Sequence, residues 1–193
     1  MQKSLLVIFA RTPEYGKVKK RLAMRLGAEK ALEIHNKLLS HTLTIAEETG
    51  IAYKIYLSTD PDKLQPYDYE LQAGNDLGQR MHHALHTELT TNTHVCLIGS
   101  DCLEISQSVI TRAFEKLAAF DVVIGPAVDG GYYLIGLTKA NAELFSNINW
   151  GSSTVLANTL KRCMNMNLSV HQLEFLNDID RPEDVPHSWL LDH

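Results

Sequence analysis

The sequence predicts an α/β protein whose mostly parallel sheet is covered by helices on both faces, and three observations lead there. Apolar runs of strand length recur along the chain. Between them lie longer segments whose apolar residues repeat at helical spacing. The two kinds of segment alternate at the intervals of βαβ units, which build parallel sheets. In such sheets ligands bind beyond the carboxyl ends of the strands, so the residues that follow each strand are the most informative.

Residues 4–9 (SLLVIF) are a continuous apolar run, which fits a strand buried on both faces. A turn at residues 12–16 leads into a helical pattern in which Leu22 and Leu26 share a face. Past Gly27, Ile34, Leu38 and Ile45 line one stripe with Leu39 and Leu43 beside it, and Gly50 is a fitting stop. Ile51, Tyr53, Ile55 and Leu57 alternate with other residues as a second strand, and residues 59–75 read as loop. Asp76 then caps a helix with Leu77, Met81, Leu85 and Leu89 at four-residue spacing. Residues 95–98 form a strand that ends at Gly99, Ser100 and Asp101. A helix capped by Ser106 turns Val109, Ile110, Ala113, Phe114 and Leu117 inward. Residues 121–125 (DVVIG) and 132–137 (YYLIGL) are further strands. A helix over 154–166 and a late strand over 169–175, carrying Val170, Leu173 and Phe175, follow. Pro182 then begins a short helix capped from Asp180 or Arg181.

With 45 % hydrophobic and 21 % charged residues, the composition is that of a globular protein, and residues 1–193 read as one domain without repeats or linkers. No apolar stretch approaches the ~20 residues of a membrane helix, and the opening MQKSLLVIFART has no small-residue cleavage site. A cytoplasmic protein is therefore expected. Cys96, Cys102 and Cys163 form no CxxC pair and read as reduced, buried thiols.

The charge is unevenly placed. Residues 11–25 hold Arg11, Lys17, Lys19, Lys20, Arg21 and Arg25 against Glu14 alone, which leaves 12 basic and 22 acidic residues elsewhere. Such a chain repels polyanions while one patch attracts a compact anion, which disfavours nucleic acid and favours a small phosphorylated ligand. A solvated, Lys-rich helix start is the alternative. Backbone N–H groups and a helix dipole would assist Lys17, Lys19 and Arg21 in holding phosphate, with Pro13 and Gly16 shaping the loop. Neither a GxxxxGK[ST] nor a GxGxxG pattern is present.

Asp101 follows an apolar strand directly, as a carboxylate of a Mg²⁺-phosphate site would, although a cap or turn role accounts for it equally. Asp178 and Asp180 offer further carboxylates after the late strand, or caps for the helix at Pro182. Asp129, Gly130 and Gly131 join two strands either as a plain hairpin or as a place of close approach to a ligand. His82 and His86 share a helical face but have neither an HExxH pattern nor a third ligand nearby, and no GxSxG points to a hydrolase.

Five ordered motifs, FARTPEYGKVKKRL, NDLGQRMHHAL, LIGSDC, GPAVDGGYYLIGL and DIDRPEDV, span nearly the whole chain. On these the sequence resembles bacterial proteins of the nucleotide-diphospho-sugar transferase fold, often labelled glycosyltransferase-like. Their relatives include phospholactate guanylyltransferases and molybdenum-cofactor nucleotidyltransferases. The resemblance implies a three-layer α/β sandwich with a mostly parallel mixed sheet of GT-A type. It implies that Lys19 and Arg21 meet nucleotide phosphates, helped by Arg11, with Gly16 and Lys17 in the same loop. It further implies that Asp101 and Asp180 hold Mg²⁺ or Mn²⁺, and that Asp76, Gly78 and Arg80 border the nucleotide. The wall on the acceptor side would be Asp129, Gly130 and Gly131 with the strand that follows. The chain departs from the family pattern at Lys20, where threonine is usual, and at Leu103, where proline is usual.

The expected function is metal-dependent transfer of a glycosyl or nucleotidyl group from a nucleotide sugar or a nucleoside triphosphate to a small acceptor. One carboxylate in Ser100-Asp101-Cys102, where metal-dependent sugar transferases of this fold carry DxD, leans toward nucleotidyl transfer. A nucleotide-binding module without catalysis is the alternative, and the two departures are its support.

Overall fold

The computed structural model describes residues 3–61 and 68–190. In chain order the strands are β1 (Ser4–Ala10), β2 (Tyr53–Leu57), β3 (Tyr69–Leu71), β4 (His94–Gly99), β5 (Val122–Pro126), β6 (Tyr132–Leu137) and β7 (Val170–Gln172). The helices are α1 (Lys20–Leu26), α2 (Ala28–Glu48), α3 (Leu77–Glu88), α4 (Gln107–Leu117), α5 (Val155–Asn165) and α6 (His187–Leu190). The strands form a seven-stranded sheet in the order β3-β2-β1-β4-β6-β5-β7. β6 runs antiparallel to both of its neighbours, and the other pairings are parallel.

Because successive side chains point to opposite faces of a strand, β1 feeds two cores. Leu6, Ile8 and Ala10 pack with Leu39, Leu43 and Ala46 of α2 and with Val109, Ile110 and Ala113 of α4. Leu5, Val7 and Phe9 pack with Met81, Ala84 and Leu85 of α3 and Cys163 of α5. Helices therefore cover both faces, and the expected three-layer sandwich is what the chain forms. A third cluster of Leu22, Ala31, Ile34, Leu38, Ile179 and Val185 clamps α1, α2 and the segment after β7 together. Each fully buried aliphatic side chain there contributes about 1.5–3 kcal/mol, enough to fix where the basic loop meets the carboxyl-terminal segment.

Several elements differ from expectation in instructive ways. Gly27, at φ 86° and ψ 158°, cannot continue a helix and separates α1 from α2. Within the stretch read as loop, β3 adds a three-residue edge strand parallel to β2, too short and too exposed to show alternation; residues 62–67 of that stretch lie outside the described residues. The late strand is confined to Val170–Gln172, so Phe175 is 61 % exposed rather than inward. Backbone pairing nevertheless continues, with the Leu173 and Leu176 amides donating to the Ile124 and Pro126 carbonyls. Pro182 opens a 3₁₀ turn instead of a helix, and the Asp184 carboxylate accepts from the Asp180 and Arg181 amides.

The parallel strands all end on one edge, which brings Arg11, Ser58, Asp101 and residues 127–131 to the same side of the sheet. The antiparallel β6 starts there, at Tyr132.

Candidate functional site

The loop after β1 is tied to the loop after β2. The Thr12 amide donates to Ser58 Oγ at 3.1 Å, and the Thr12 hydroxyl donates to the Thr59 carbonyl at 2.6 Å. Gly16, at φ 71°, turns the chain as its expected loop-shaping role requires. Lys17 pairs with Glu14 and is not among the residues that line the basic pocket described below. The pairing with Lys17 and then Thr59 lowers the pKa of Glu14.

Lys19 carries the unusual geometry. It precedes α1 in the left-handed region, at φ 45° and ψ 50°, which costs a non-glycine residue about 1–3 kcal/mol. Its side chain is only 5 % exposed, and its ammonium lies 2.8 Å from Asp101 Oδ1. The same ammonium donates to the Ile179 carbonyl at 2.6 Å. Charge pairing and hydrogen bonding thus hold a conformation that the backbone alone disfavours. Because α1 has seven residues, the positive potential here comes from side chains rather than from a long helix dipole.

Around this contact Arg11, Lys19, Lys20, Arg21 and His35 line a cavity of 260 Å³ together with Asp101 and Asp180. Arg21 donates to Asp180 across the cavity mouth. Sequence reasoning passed over His35, which sits on the apolar face of α2 beside Ile34 and Leu38. Its Nε2 lies 3.0 Å from the Arg11 carbonyl, and burial lowers its pKa, so it braces the loop as a neutral group.

Asp178, the carboxylate set aside in favour of Asp180, faces this centre as well. Cys102 and Asp178 form an isolated antiparallel bridge, and the Ile179 amide donates to the Asp101 carbonyl at 2.8 Å. Burial, then the charges of Asp101 and Asp129, push the Asp178 carboxyl up to about 7, with Lys19 opposing and Asp180 adding to the rise. The sign of the resulting pH dependence follows from linkage. The folded state holds the proton more tightly than the unfolded one, whose value is near 3.8, so stability is fully present below that pH and is lost as pH rises through about 7. Asp178→Asn removes this loss. In metal-free buffer its melting temperature should exceed that of the parent at pH 8, with the gap closing toward pH 4; a gap that does not change with pH would refute the assignment.

A second cavity of 520 Å³ opens beside the first, sharing Arg11 and Asp101 and lined further by Ser58, Gln72, Asp76, Arg80 and Tyr132. Asp76 caps α3 by accepting from the Gln79 amide at 2.8 Å, and Arg80 Nε donates to the Gly74 carbonyl at 3.0 Å. Gly78 is buried and stands apart from this cavity: a Cβ there would come within 2.6 Å of the Phe145 carbonyl and of Trp150, so close packing requires glycine. Gln72 is a lining residue that no periodicity signalled. Its amide nitrogen donates to the carbonyls of Ala10 at 3.1 Å and Tyr56 at 2.9 Å, which fixes its orientation.

The hairpin between β5 and β6 completes the edge. The Gly131 amide donates to Asp129 Oδ1 at 2.9 Å, and the Gly130 carbonyl accepts from the Leu156 amide at 2.9 Å. Cys102 is buried, and burial followed by Asp178 pushes its thiol up to about 12, which suits a packed thiol rather than a nucleophile. His82 and His86 stack at 5.7 Å, and no group of three or more His, Cys, Asp or Glu among the described residues is arranged to hold a metal by itself.

Comparison with known proteins places this geometry. A protein of Desulfovibrio desulfuricans G20, provisionally described as a nucleotide-diphospho-sugar transferase, superposes with a TM-score of 0.88 at 31 % identity, over 94 % of this chain and 84 % of that one. The inositol-1-phosphate CTP transferase of T. maritima superposes with a TM-score of 0.59 at 14 % identity, over 98 % of this chain and 94 % of that one. The Rv0371C protein of Mycobacterium tuberculosis H37Rv, solved as a complex with manganese, superposes with a TM-score of 0.57 at 14 % identity, over 95 % of this chain and 96 % of that one. At such identity the last two show a shared fold. No curated protein matches the chain in sequence. The profile of the family described as "Uncharacterized protein conserved in bacteria (DUF2064)" matches residues 42–152. The chain therefore belongs to that bacterial family and has the nucleotide-diphospho-sugar transferase fold.

Proposed function

We propose that the protein is a metal-dependent transferase acting on an activated nucleotide, with nucleotidyl transfer from a nucleoside triphosphate favoured over glycosyl transfer from a nucleotide sugar. The observation that carries this reading is the 260 Å³ cavity in which four cationic side chains meet Asp101 and Asp180 at the ligand edge of the sheet. The adjoining 520 Å³ cavity has room for the nucleoside, bordered by Asp76 and Arg80. Of the three donors on the Lys19 ammonium, Asp101 and Ile179 take two, which leaves one for a phosphate oxygen. Arg11 and Arg21 add planar, charge-assisted contacts to the same phosphates. Glycyl turns at Gly16, Gly130 and Gly131 shape the walls, and Asp129 faces the acceptor. In this reading residues 1–193 work as a single cytoplasmic domain.

Asp101 and Asp180 fit Mg²⁺ or Mn²⁺, because such an ion takes one or two carboxylates and completes its sphere with water and phosphate oxygens. When bound, it would neutralise charge that develops on the leaving phosphate. The side chains themselves position and neutralise; little covalent chemistry is asked of them.

The test is thermal stability against a panel of nucleoside triphosphates and nucleotide sugars, each with and without Mg²⁺. A ligand present at 100 times its Kd adds about 2.7 kcal/mol, which raises the midpoint of a chain this size by roughly 5–10 °C. A Mg²⁺-dependent rise with one triphosphate, followed by pyrophosphate release with a suitable acceptor, supports nucleotidyl transfer. A rise with a nucleotide sugar alone, and release of a nucleoside diphosphate, supports glycosyl transfer. Binding without consumption under either condition would instead make the chain a nucleotide-binding module, and no shift at all would overturn the phosphate role of residues 11–21.

A further inference from the structure

Beyond the mouth of the basic cavity lies a groove that none of these roles uses. Arg21, Met24 and Arg25 stand at i, i+3 and i+4 on α1 and so share a face. Opposite them the 3₁₀ turn presents Arg181, Pro182 and Glu183, and the six residues enclose 440 Å³. Three guanidinium groups thus border one groove that contributes a single carboxylate of its own. Arg21 is engaged with Asp180, whereas neither Arg25 nor Arg181 has an ion-pair partner among the described residues. Packing does not account for them, since both are exposed. Met24 is 87 % exposed between the two α1 arginines and adds an apolar side chain to the edge of the charged groove.

Arg21 also lines the 260 Å³ cavity, so the groove continues from the place assigned above to the donor phosphates. Like charges gathered at one surface repel each other, and an anion relieves that repulsion. Arginine forks recognise phosphate and carboxylate oxygens in pairs, and a thioether adapts to an apolar body beside them. We propose that this groove is a separate anion site, and that its ligand is a small molecule carrying a phosphate or carboxylate on an apolar body. This anion site stands without the transferase reading.

The same chemistry could come from the terminal phosphates of the donor, so the experiment has arms for both sources. Protein labelled at its methionine methyl groups is titrated with phenyl phosphate and, separately, with inorganic pyrophosphate, and the Met24 resonance is assigned from Met24→Leu. Phenyl phosphate should move the Met24 signal saturably. The exposed double variant Arg25→Ala, Arg181→Ala should keep its melting temperature and weaken this binding about ten-fold or more. Lys19→Ala, which disables the neighbouring cavity, should leave it within about two-fold. An unmoved Met24 signal, or equal affinity in the double variant, overturns the proposal. Competition by pyrophosphate that is lost together with phenyl phosphate binding in Lys19→Ala also overturns it, since the groove would then hold the donor's tail. Failure of every nucleotide in the thermal panel would sink the transferase reading alone and leave these titrations interpretable.

Discussion

Asp101→Asn should lower turnover by about 10²–10³-fold, measured as pyrophosphate or nucleoside diphosphate release with the nucleotide that the thermal panel identifies. The change keeps the size of the side chain and removes its charge, so it acts on the Lys19 ammonium 2.8 Å away and on any cation held with Asp180. A second readout guards against a merely structural effect. Asp101 is the first of the charges that raise the Asp178 pKa, so its neutralisation should reduce the loss of stability between pH 4 and pH 7. Retention of full turnover in Asp101→Asn would remove this carboxylate from the catalytic centre, and an unchanged pH profile would remove it from the neighbourhood of Asp178.

Gly130→Ala should be the most destabilising small substitution at the site. The residue has φ +91°, and a Cβ there would lie 2.2 Å from the Ser153 carbonyl oxygen and 2.7 Å from two further Ser153 backbone atoms. Backbone cannot yield as the end of a side chain can, so the hairpin and the turn before α5 must part. Adverse φ and overpacking together cost about 2–5 kcal/mol, or roughly 5–15 °C in melting temperature for a chain of this size. Gly131→Ala is the control: its Cβ would meet only Asp129, at 3.2 Å from Oδ1, and its φ lies outside the left-handed region. Equal shifts in the two variants would show that the turn is tolerant and that its glycines serve something other than packing.

The strands that matter most were legible because continuous apolar runs leave little choice of conformation, and Asp101 was legible because it follows one of them directly. Lys19 and Arg21 stood out through local charge. Their division of labour did not: Lys17, equally basic and two residues earlier, pairs with Glu14, and only the left-handed turn at Lys19 decides which ammonium enters the cavity. Gln72 gave no signal, since it follows a three-residue edge strand and acts through two carbonyls far away in sequence. His35 occupies a position that helical periodicity reserves for an apolar residue, and a polar residue on such a face was the available clue. Asp178 and Asp180 are chemically alike and two residues apart, and what distinguishes them is tertiary: Asp178 bridges to Cys102, where burial raises its pKa, while Asp180 pairs with Arg21, which no property of either residue reveals in the sequence.

The hydrogen bond from Lys19 to the Ile179 carbonyl links residues separated by 160 positions. Contacts that distant in sequence form late, after the loop between them has closed. During synthesis, then, the parallel half of the sheet built from β1, β2 and β4 can assemble while the site is still missing one wall. A ribosome-bound chain that has not yet released residues 177–185 holds Lys19 without its carbonyl partner and the basic cavity without Asp180. Formation of the basic cavity is thereby coupled to synthesis of residues 177–185, and a nascent chain without them lacks two of the contacts that shape it.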